Sequence, residues 1–373
     1  MKFVLVIPTY NEAENIGKLI DALSRVFQEM PESEFEVLVV EGNSPDGTSD
    51  VVKKKQKEYK FVHLLMEEEK AGLGAAYIYG FKYAMKNLNP DVLIEMDADF
   101  QHDPKDLCKL VEAMMEGNDS VIGSRYIKGG SIPSEWAFYR KFFSVVGNWV
   151  VKIILGIYDV NDFTTGFKAT RVKGLLDKIN LDTVLSSGFS YKIDLLYKLR
   201  KMGAKIKEVP IKFGLRNRGD SKMEQDNAID TLRIILYLRY KDSESFIRFC
   251  VVGFVGFFTD MGIANVLYSF SFFPPNVSAT TSALIATFVT YYLNNMWSFS
   301  DRKIVDFRKT LKSLVVYYVS SSVPIIFRFW FVAYITGQFA DNFALYNFSI
   351  LVSIIIGLVW NYTIYSKIIW RRS

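Results

Sequence analysis

Asp97 and Asp99 leave an apolar run, 91–96, two residues apart, and Gln101 follows at the same spacing. In extended chain, residues two apart point to the same side. Two neighbouring carboxylates repel each other unless a positive charge sits between them. A divalent cation with open coordination positions does this, and Mg²⁺ or Mn²⁺ combines oxygen ligands from protein with phosphate oxygens. Gln101 offers a third oxygen. An isolated Asp-x-Asp is more often a solvated acidic turn, and its place after a buried strand tips the reading toward metal. His102 is a potential ligand as neutral imidazole, but support of the loop is the stronger reading.

Cations form a second group. Arg216, Arg218 and Lys222 gather in one glycine-containing loop, and Arg125 follows a further apolar run in Gly123-Ser124-Arg125-Tyr126. Arginine forks suit phosphate oxygens, and lysine adds a point charge. The alternative is a basic surface facing anionic lipid, and both readings stand. Pro8-Thr9-Tyr10-Asn11-Glu12 reads either as a helix entry with Asn11 as cap or as a nucleoside platform, with Tyr10 against a ring and Glu12 accepting from base or sugar. Lys70-Ala71-Gly72-Leu73-Gly74 resembles a phosphate-binding turn at a helix start. It lacks the P-loop ending and the three-glycine dinucleotide spacing, so close helix–sheet packing explains its glycines equally well.

The elements that must position these residues alternate. Apolar runs at 3–7, 36–41, 61–65, 91–96 and 119–123 read as strands, and periodic segments at 12–27, 49–59, 73–87 and 104–116 as helices. Thr48 is the expected cap of the second helix. Such alternation predicts an open, mostly parallel sheet with helices on both faces. Ligands then bind beyond the carboxyl ends of the strands, where the carboxylates and Arg125 fall.

Composition excludes several classes. Two cysteines, Cys108 and Cys250, make no disulfide framework, and two histidines make no His-rich metal site. The net charge of +5 comes without a basic block interleaved with aromatics, so nucleic acid is not an expected partner. The first apolar stretch ends at Pro8, too short for a signal peptide, so the first domain is expected in the cytoplasm.

Taken in order, Pro8 to Glu12, Asn43 to Thr48, Lys70 to Gly74, Asp97 to Gln101, Gly123 to Tyr126 and Arg216 to Lys222 resemble the motifs of dolichol-phosphate mannose synthases. These belong to the inverting family 2 glycosyltransferases. The resemblance covers about residues 1–240. It implies a Rossmann-like α/β GT-A domain, a nucleotide-sugar donor with GDP-mannose favoured, a polyprenyl (dolichyl-type) phosphate acceptor, and Mg²⁺ or Mn²⁺. Carried over by motif, Asp97, Asp99 and Gln101 hold the metal. Pro8, Tyr10, Glu12 and Val40 line the nucleotide pocket, with Gly42 and Ala98 beside it. Arg125, Arg216, Arg218 and Lys222 contact donor or acceptor phosphates, and Arg140 lies near the acceptor path. Asp99, Arg216 and Lys222 are the implied catalytic groups. One departure is Glu41-Gly42, where the family commonly has two acids. It leaves UDP-glucose or UDP-N-acetylglucosamine open as donors. A flippase-like transporter with a regulatory soluble domain is the alternative of a different class.

The remainder of the chain changes character. Apolar segments at 249–270, 277–297, 314–335 and 343–364 each approach the ~20 residues that cross a bilayer as a helix. The expected organisation is therefore a glycosyltransferase domain over 1–225, an interfacial helix or linker over 226–245, and an all-α four-helix transmembrane domain over 246–373. Its Asn294 to Phe299 and Asn361 to Trp370 patterns resemble polyprenyl-glycan flippase-like proteins. Arg302, Lys303, Arg308, Lys309 and Lys312 lie after the second segment, and Lys367, Arg371 and Arg372 in the tail. The positive-inside rule puts both regions in the cytoplasm. Asp260 and Arg328 fall within predicted spans, where charge is costly, so they are expected to face the interior and pair. Segments 134–157 and 228–240 mix apolar and basic residues. Helices lying on the headgroups and ordinary packing on the sheet are both open for them.

Overall fold

The computed structural model describes residues 1–215, 225–270, 273–338 and 343–370. It divides into two compact units, Met1–Arg239 and Tyr240–Ser373.

The first unit is built on seven strands: β1 (Lys2–Thr9), β2 (Glu34–Glu41), β3 (Val62–Met66), β4 (Val92–Glu95), β5 (Ser120–Ser124), β6 (Lys168–Arg171) and β7 (Ile206–Pro210). Their order is β3-β2-β1-β4-β6-β5-β7. All pairings are parallel except those of β6, which runs antiparallel to β4 and β5. Alternation along β1 feeds two cores. Phe3, Leu5 and Ile7 join α1 (Ala13–Gln28) and α4 (Leu107–Met115) on one face, while Val4 and Val6 join α3 (Leu73–Asn87) and α6 (Tyr191–Lys201) on the other. This is the two-sided burial that a parallel sheet requires, and the expected α/β GT-A class is what the chain adopts. Close packing of α3 needs Gly80, where a Cβ would stand 2.6 Å from Val6 Cγ1.

Two local features differ from the sequence expectation, and a third settles into helix. β6 and β7 were not foreseen, because Lys-Ala-Thr-Arg and Ile-Lys-Glu-Val-Pro carry no clear apolar run. Thr48 does not cap α2 (Thr48–Glu58): Gly47, at φ 85°, precedes the helix, and Asp46 accepts from the Thr48 N–H at 3.0 Å. The Thr48 hydroxyl instead accepts from the Glu12 N–H at 3.0 Å, tying the first two strand-end loops together. Segment 138–155 forms α5 (Phe138–Leu155), which buries Asn148, Val151 and Leu155 but leaves Phe138, Phe143, Trp149 and Ile153 exposed.

In the second unit the principal helices are α7 (Gln225–Ser269), α8 (Pro275–Leu293), α9 (Phe307–Gln338) and α10 (Phe343–Ile364). The unit boundary falls inside α7, and the stretch 226–245, expected as an interfacial helix or linker, is part of that continuous helix. Residues Ala228–Ser269, Phe307–Gln338 and Phe343–Ile369 are long and apolar enough to cross a membrane. The second expected span is not among these three. Its helix, α8, is 19 residues long and carries Ser278, Thr280, Thr281, Ser282, Thr287 and Thr290. Asp260 and Arg328 pair as expected. Both terminal guanidinium nitrogens donate to the carboxylate, Nη2 to Oδ1 at 3.1 Å, and both residues are buried.

Candidate active site

The carboxylates and Arg125 sit just past strand ends, where turns hold them, while Pro8 and Val40 lie in the last residues of β1 and β2 and Arg140 lies on α5. After β4, Met96 and Ala98 point into the core, which leaves Asp97 half-exposed and Asp99 at 8% exposure. Asp97 Oδ1 accepts from the Tyr77 hydroxyl at 3.0 Å. Asp99 Oδ1 accepts from the Gln101 N–H at 3.1 Å, closing a tight turn with Phe100 at φ 61°. The Gln101 amide nitrogen donates to Gly214 O at 3.3 Å, which leaves Oε1 to face another partner.

Asp97 has a close neighbour that sequence spacing did not reveal. Its Oδ2 and the Nζ of Lys192 converge on Gly166. A Cβ there would lie 2.5 Å from the carboxylate oxygen and 2.7 Å from the ammonium. Lys192 is 1% exposed, and its Nζ has no hydrogen-bond acceptor among the described residues. Its charge is set against the Phe189 ring at 4.5 Å and beside Asp97. Beneath lies a second charged layer. Glu95 accepts from the Tyr191 hydroxyl at 2.6 Å, and burial raises its pKa although Lys168 and Tyr191 pull it back. Lys168 is pushed down to about 8 by burial, against the attraction of Glu95.

His102 does not join the ligand set. Its ring stacks on Phe167 at 5.2 Å and meets Phe213 edge-on, with Nδ1 3.9 Å from Asp97 Oδ2. Burial pulls its pKa down to about 4, so it is neutral at pH 7. Its role as loop support is the one the geometry favours. The remaining donor set consists of two carboxylates and an amide oxygen. Among the described residues no group of three Asp, Glu, His or Cys is placed to hold a metal ion. A site of one or two carboxylates fits Mg²⁺ or Mn²⁺, which completes its shell with water and substrate phosphate. It does not fit Zn²⁺, which takes three or four protein ligands, mostly nitrogen or sulfur.

The nucleotide-platform candidates lie at the neighbouring ends of β1 and β2. Pro8 and Val40 are paired across the strands, and Val40 is buried. Tyr10 is partly exposed, with the Lys70 ammonium 3.9 Å from its ring centroid. Glu12 is 7% exposed and accepts from Asn15 Nδ2 at 2.7 Å. At Gly42, where a second acid was expected, a Cβ would stand 3.5 Å from Glu67 Oε2. A carboxylate is thus present at that spot, supplied from the end of β3. Burial and the neighbouring Glu41 raise the Glu67 pKa. Glu41 itself is committed, accepting the Ser44 N–H at 2.9 Å.

The glycines of 70–74 serve packing. A Cβ at Gly72 or Gly74 would come within 2.6 Å of the carbonyl of Ser187 or Gly188, and the Ala75 N–H donates to Ser187 O at 3.1 Å.

Arg125 is held differently from a free phosphate ligand. Its Nε and Nη2 donate to Asp162 at 2.8 and 2.7 Å, and Nη2 reaches Thr164 Oγ1 at 2.7 Å. Burial opposes its charge, but Asp162 outweighs burial and raises its pKa. Burial likewise opposes ionised Asp162, and Arg125 outweighs it and lowers the carboxyl pKa. Arg140 lies over the Trp136 ring at 3.9 Å, with no hydrogen-bond partner for Nε among the described residues. Arg216, Arg218 and Lys222 lie outside the described residues. The sequence signal that would have found Asp162 is the run Asp162-Phe163-Thr164-Thr165-Gly166, an Asp with Thr residues and a terminal glycine, which is turn chemistry.

Comparisons with known proteins place both parts of the chain in families. Residues 4–176 match the glycosyl transferase family 2 model, and residues 248–370 match the GtrA/DPMS transmembrane domain. The chain is 30% identical over 373 residues to a dolichol-phosphate mannosyltransferase of Pyrococcus furiosus, spanning 99% of both. It is 40% identical over 223 residues to an undecaprenyl-phosphate mannosyltransferase of Micrococcus luteus, covering 60% of this chain and 88% of that one. Among solved structures, glucosyl-3-phosphoglycerate synthase from Mycobacterium tuberculosis, in complex with Mn²⁺ and UDP, overlaps 64% of this chain and 79% of its own, at 18% identity and a TM-score of 0.44.

Proposed function

The chain belongs to the dolichol-phosphate mannosyltransferase family within the family 2 glycosyltransferases, and from that premise we propose that it transfers mannose from GDP-mannose to a polyprenyl phosphate with inversion. The observation that carries the reading is the pair Asp97 and Asp99 at the end of β4, beside the ends of β1 and β2. That is the crevice in which α/β sheets bind nucleotides.

In this reading an acceptor phosphate oxygen attacks the anomeric carbon from the face opposite the leaving group. The bond from that carbon to the β-phosphate oxygen breaks, and GDP departs. A phosphate is ionised at neutral pH, so the chain needs no general base. Its task is electrostatic, because two anions must approach within a few ångströms. Asp97, Asp99 and Gln101 would hold a Mg²⁺ or Mn²⁺, which would supply positive charge toward the leaving diphosphate. Lys192 adds a fixed positive charge behind Asp97. Arg216, Arg218 and Lys222 are proposed to engage the phosphates. Arg125, braced by Asp162, orients the strand-end loop in which it sits. Pro8, Tyr10, Glu12, Val40, Gly42 and Ala98 are proposed to line the nucleotide pocket, and Arg140 the acceptor path. The exposed aromatic and basic face of α5 suits a headgroup surface. The loop charges favour a cytoplasmic catalytic unit and four crossings, α8 being the fourth.

The test uses purified full-length protein in detergent, polyprenyl phosphate, and radiolabelled GDP-mannose, UDP-glucose or UDP-N-acetylglucosamine, each with and without a chelator. Chelator-sensitive label from GDP-mannose in the lipid phase is the expected result. Transfer from a UDP-sugar alone would favour the reading that Gly42 keeps open, with Glu67 contacting a different base. No transfer from any donor would leave the transporter class standing.

A further inference from the structure

Glu67 directly follows β3. Its backbone N–H donates to Glu41 O at 2.8 Å, which carries the β2–β3 pairing one residue past the strand. The residue is half-buried between exposed Met66 and exposed Glu68. Its carboxylate has no hydrogen-bond or ion-pair partner among the described residues. Two further groups meet it around Gly42. A Cβ at Gly42 would stand 3.5 Å from Glu67 Oε2, 3.4 Å from Tyr10 Cδ2 and 3.5 Å from Thr9 O. With no side chain there, a gap remains, bordered by a carboxylate, the edge of a ring and the last carbonyl of β1.

Glu41 is the other acid nearby. It is fully buried, and its Oε1 holds the Ser44 N–H. Glu67 is therefore the carboxylate that an incoming ligand can reach. Burial and the neighbouring Glu41 both work against an ionised Glu67. A ligand that donates hydrogen bonds to it relieves that cost.

An ionised carboxylate accepts on both oxygens and favours a partner with two adjacent donors. Among nucleobases the pairing edge of guanine offers this, with N1–H beside the 2-amino group. Hypoxanthine offers N1–H alone. Uracil sets its one N–H between two carbonyls, which repel a carboxylate. Adenine and cytosine place one amino group beside a ring-nitrogen acceptor. The location suits a base, since α/β sheets bind nucleotides beyond their strand ends, and partly exposed Tyr10 offers an aromatic surface beside it.

We propose that Glu67 selects the base of the donor, accepting the N1–H and 2-amino hydrogens of guanine in the gap at Gly42. The inference rests on the reading that the first unit takes a nucleotide-sugar donor, and it names the residue that decides which base is taken.

The experiment titrates GDP, inosine diphosphate, xanthosine diphosphate and UDP, with Mg²⁺, into the full-length protein in detergent by calorimetry. Wild type, Glu67→Ala and Glu67→Gln are compared. Inosine diphosphate lacks the 2-amino group, and xanthosine diphosphate has a carbonyl in its place. Wild type should bind GDP at least about tenfold more tightly than inosine diphosphate or UDP. Glu67→Ala should weaken GDP at least about tenfold and bind GDP and inosine diphosphate alike. The Glu67→Gln amide sets one acceptor beside one donor, which matches the N1–H and C2 carbonyl of xanthine. Its preference should pass from GDP to xanthosine diphosphate, a reversal that a merely structural role would not produce. Melting curves check that both variants fold, and if Glu67→Ala does not, Glu67→Gln carries the test. Equal wild-type binding of GDP and inosine diphosphate, or base ratios unchanged in the folded variants, overturns this inference and leaves the GDP-mannose reading intact. Wild-type preference for UDP, or binding of none of the four, overturns both.

Discussion

Among the described residues each unit buries one bidentate Arg–Asp pair, and the two pairs are finished differently. In the first unit Asp162 accepts from the Arg125 side chain and also from the backbone N–H groups of Arg125 at 3.0 Å and Thr165 at 3.1 Å. In the second, Asp260 has Arg328 and the Ser282 hydroxyl, and Arg328 Nε is left over. The contrast follows from the backbone around each carboxylate. Asp162 sits in a loop whose amides are free to point inward. Asp260 sits within α7, where the amides bond four residues back along the helix. A pair buried in a loop can be saturated by its own chain. A pair buried among helices depends on other side chains and keeps unfilled valences. The first becomes bracing for a site, and the second becomes part of a cavity.

The largest expected effect separates the units by function. Asp97→Ala should lower sugar transfer by about 10²–10³-fold in protein that still folds, while Asn361→Leu leaves transfer alone. Steady-state assays of both variants check this, and near-normal turnover in Asp97→Ala removes the carboxylate from the proposed site. Next comes the bracing pair. Asp162→Asn should cost about 3–5 kcal/mol, because it strands a buried guanidinium, read as a lowered chemical-denaturation midpoint of the first unit's transition.

The pair beneath the site sharpens the picture through pH. Lys168 has a folded pKa of about 8, below its ordinary value of 10.5. Between those values the unfolded chain holds a proton that the folded chain has released, so stability from this group rises as pH rises from 8 to 10.5. The gain is about 3 kcal/mol at most. It should appear as a difference between wild type and Lys168→Met, and parallel pH profiles of the two proteins would refute it. The smallest effect belongs to the membrane pair. Asp260→Asn should cost about 2.5 kcal/mol, because it leaves the Arg328 charge among apolar helices with only an amide facing it, measured by refolding from denaturing detergent. A cost equal to that of Asp162→Asn would erase the contrast between the two pairs.

Much of the first unit was legible because its strands are apolar runs and its turns carry glycine, proline and asparagine. The period-two spacing of Asp97 and Asp99 placed a carboxylate pair at a strand end, and the position of β4 in the sheet agrees. The pairing of Asp260 with Arg328 was legible too, since two opposite charges inside apolar helices have few other partners. Thr48 was misread because a Thr before a helix looks like a cap. Here a glycine in the left-handed region precedes the helix, and the hydroxyl serves a loop 36 residues away. Gly42 looked like a lost acid until β3 brought Glu67 beside it.

By itself the sequence determined what repeats locally: which runs are strands, which helices are apolar all round, and which acids and cations fall at strand ends. Tertiary structure alone decided what meets across long separations. It set β6 antiparallel between β4 and β5, set Lys192 and Gly166 against Asp97, and assigned Asp162 to Arg125. The physical reason is that periodicity records the burial of a face. The partner of a buried charge is fixed by packing between segments that share no local pattern.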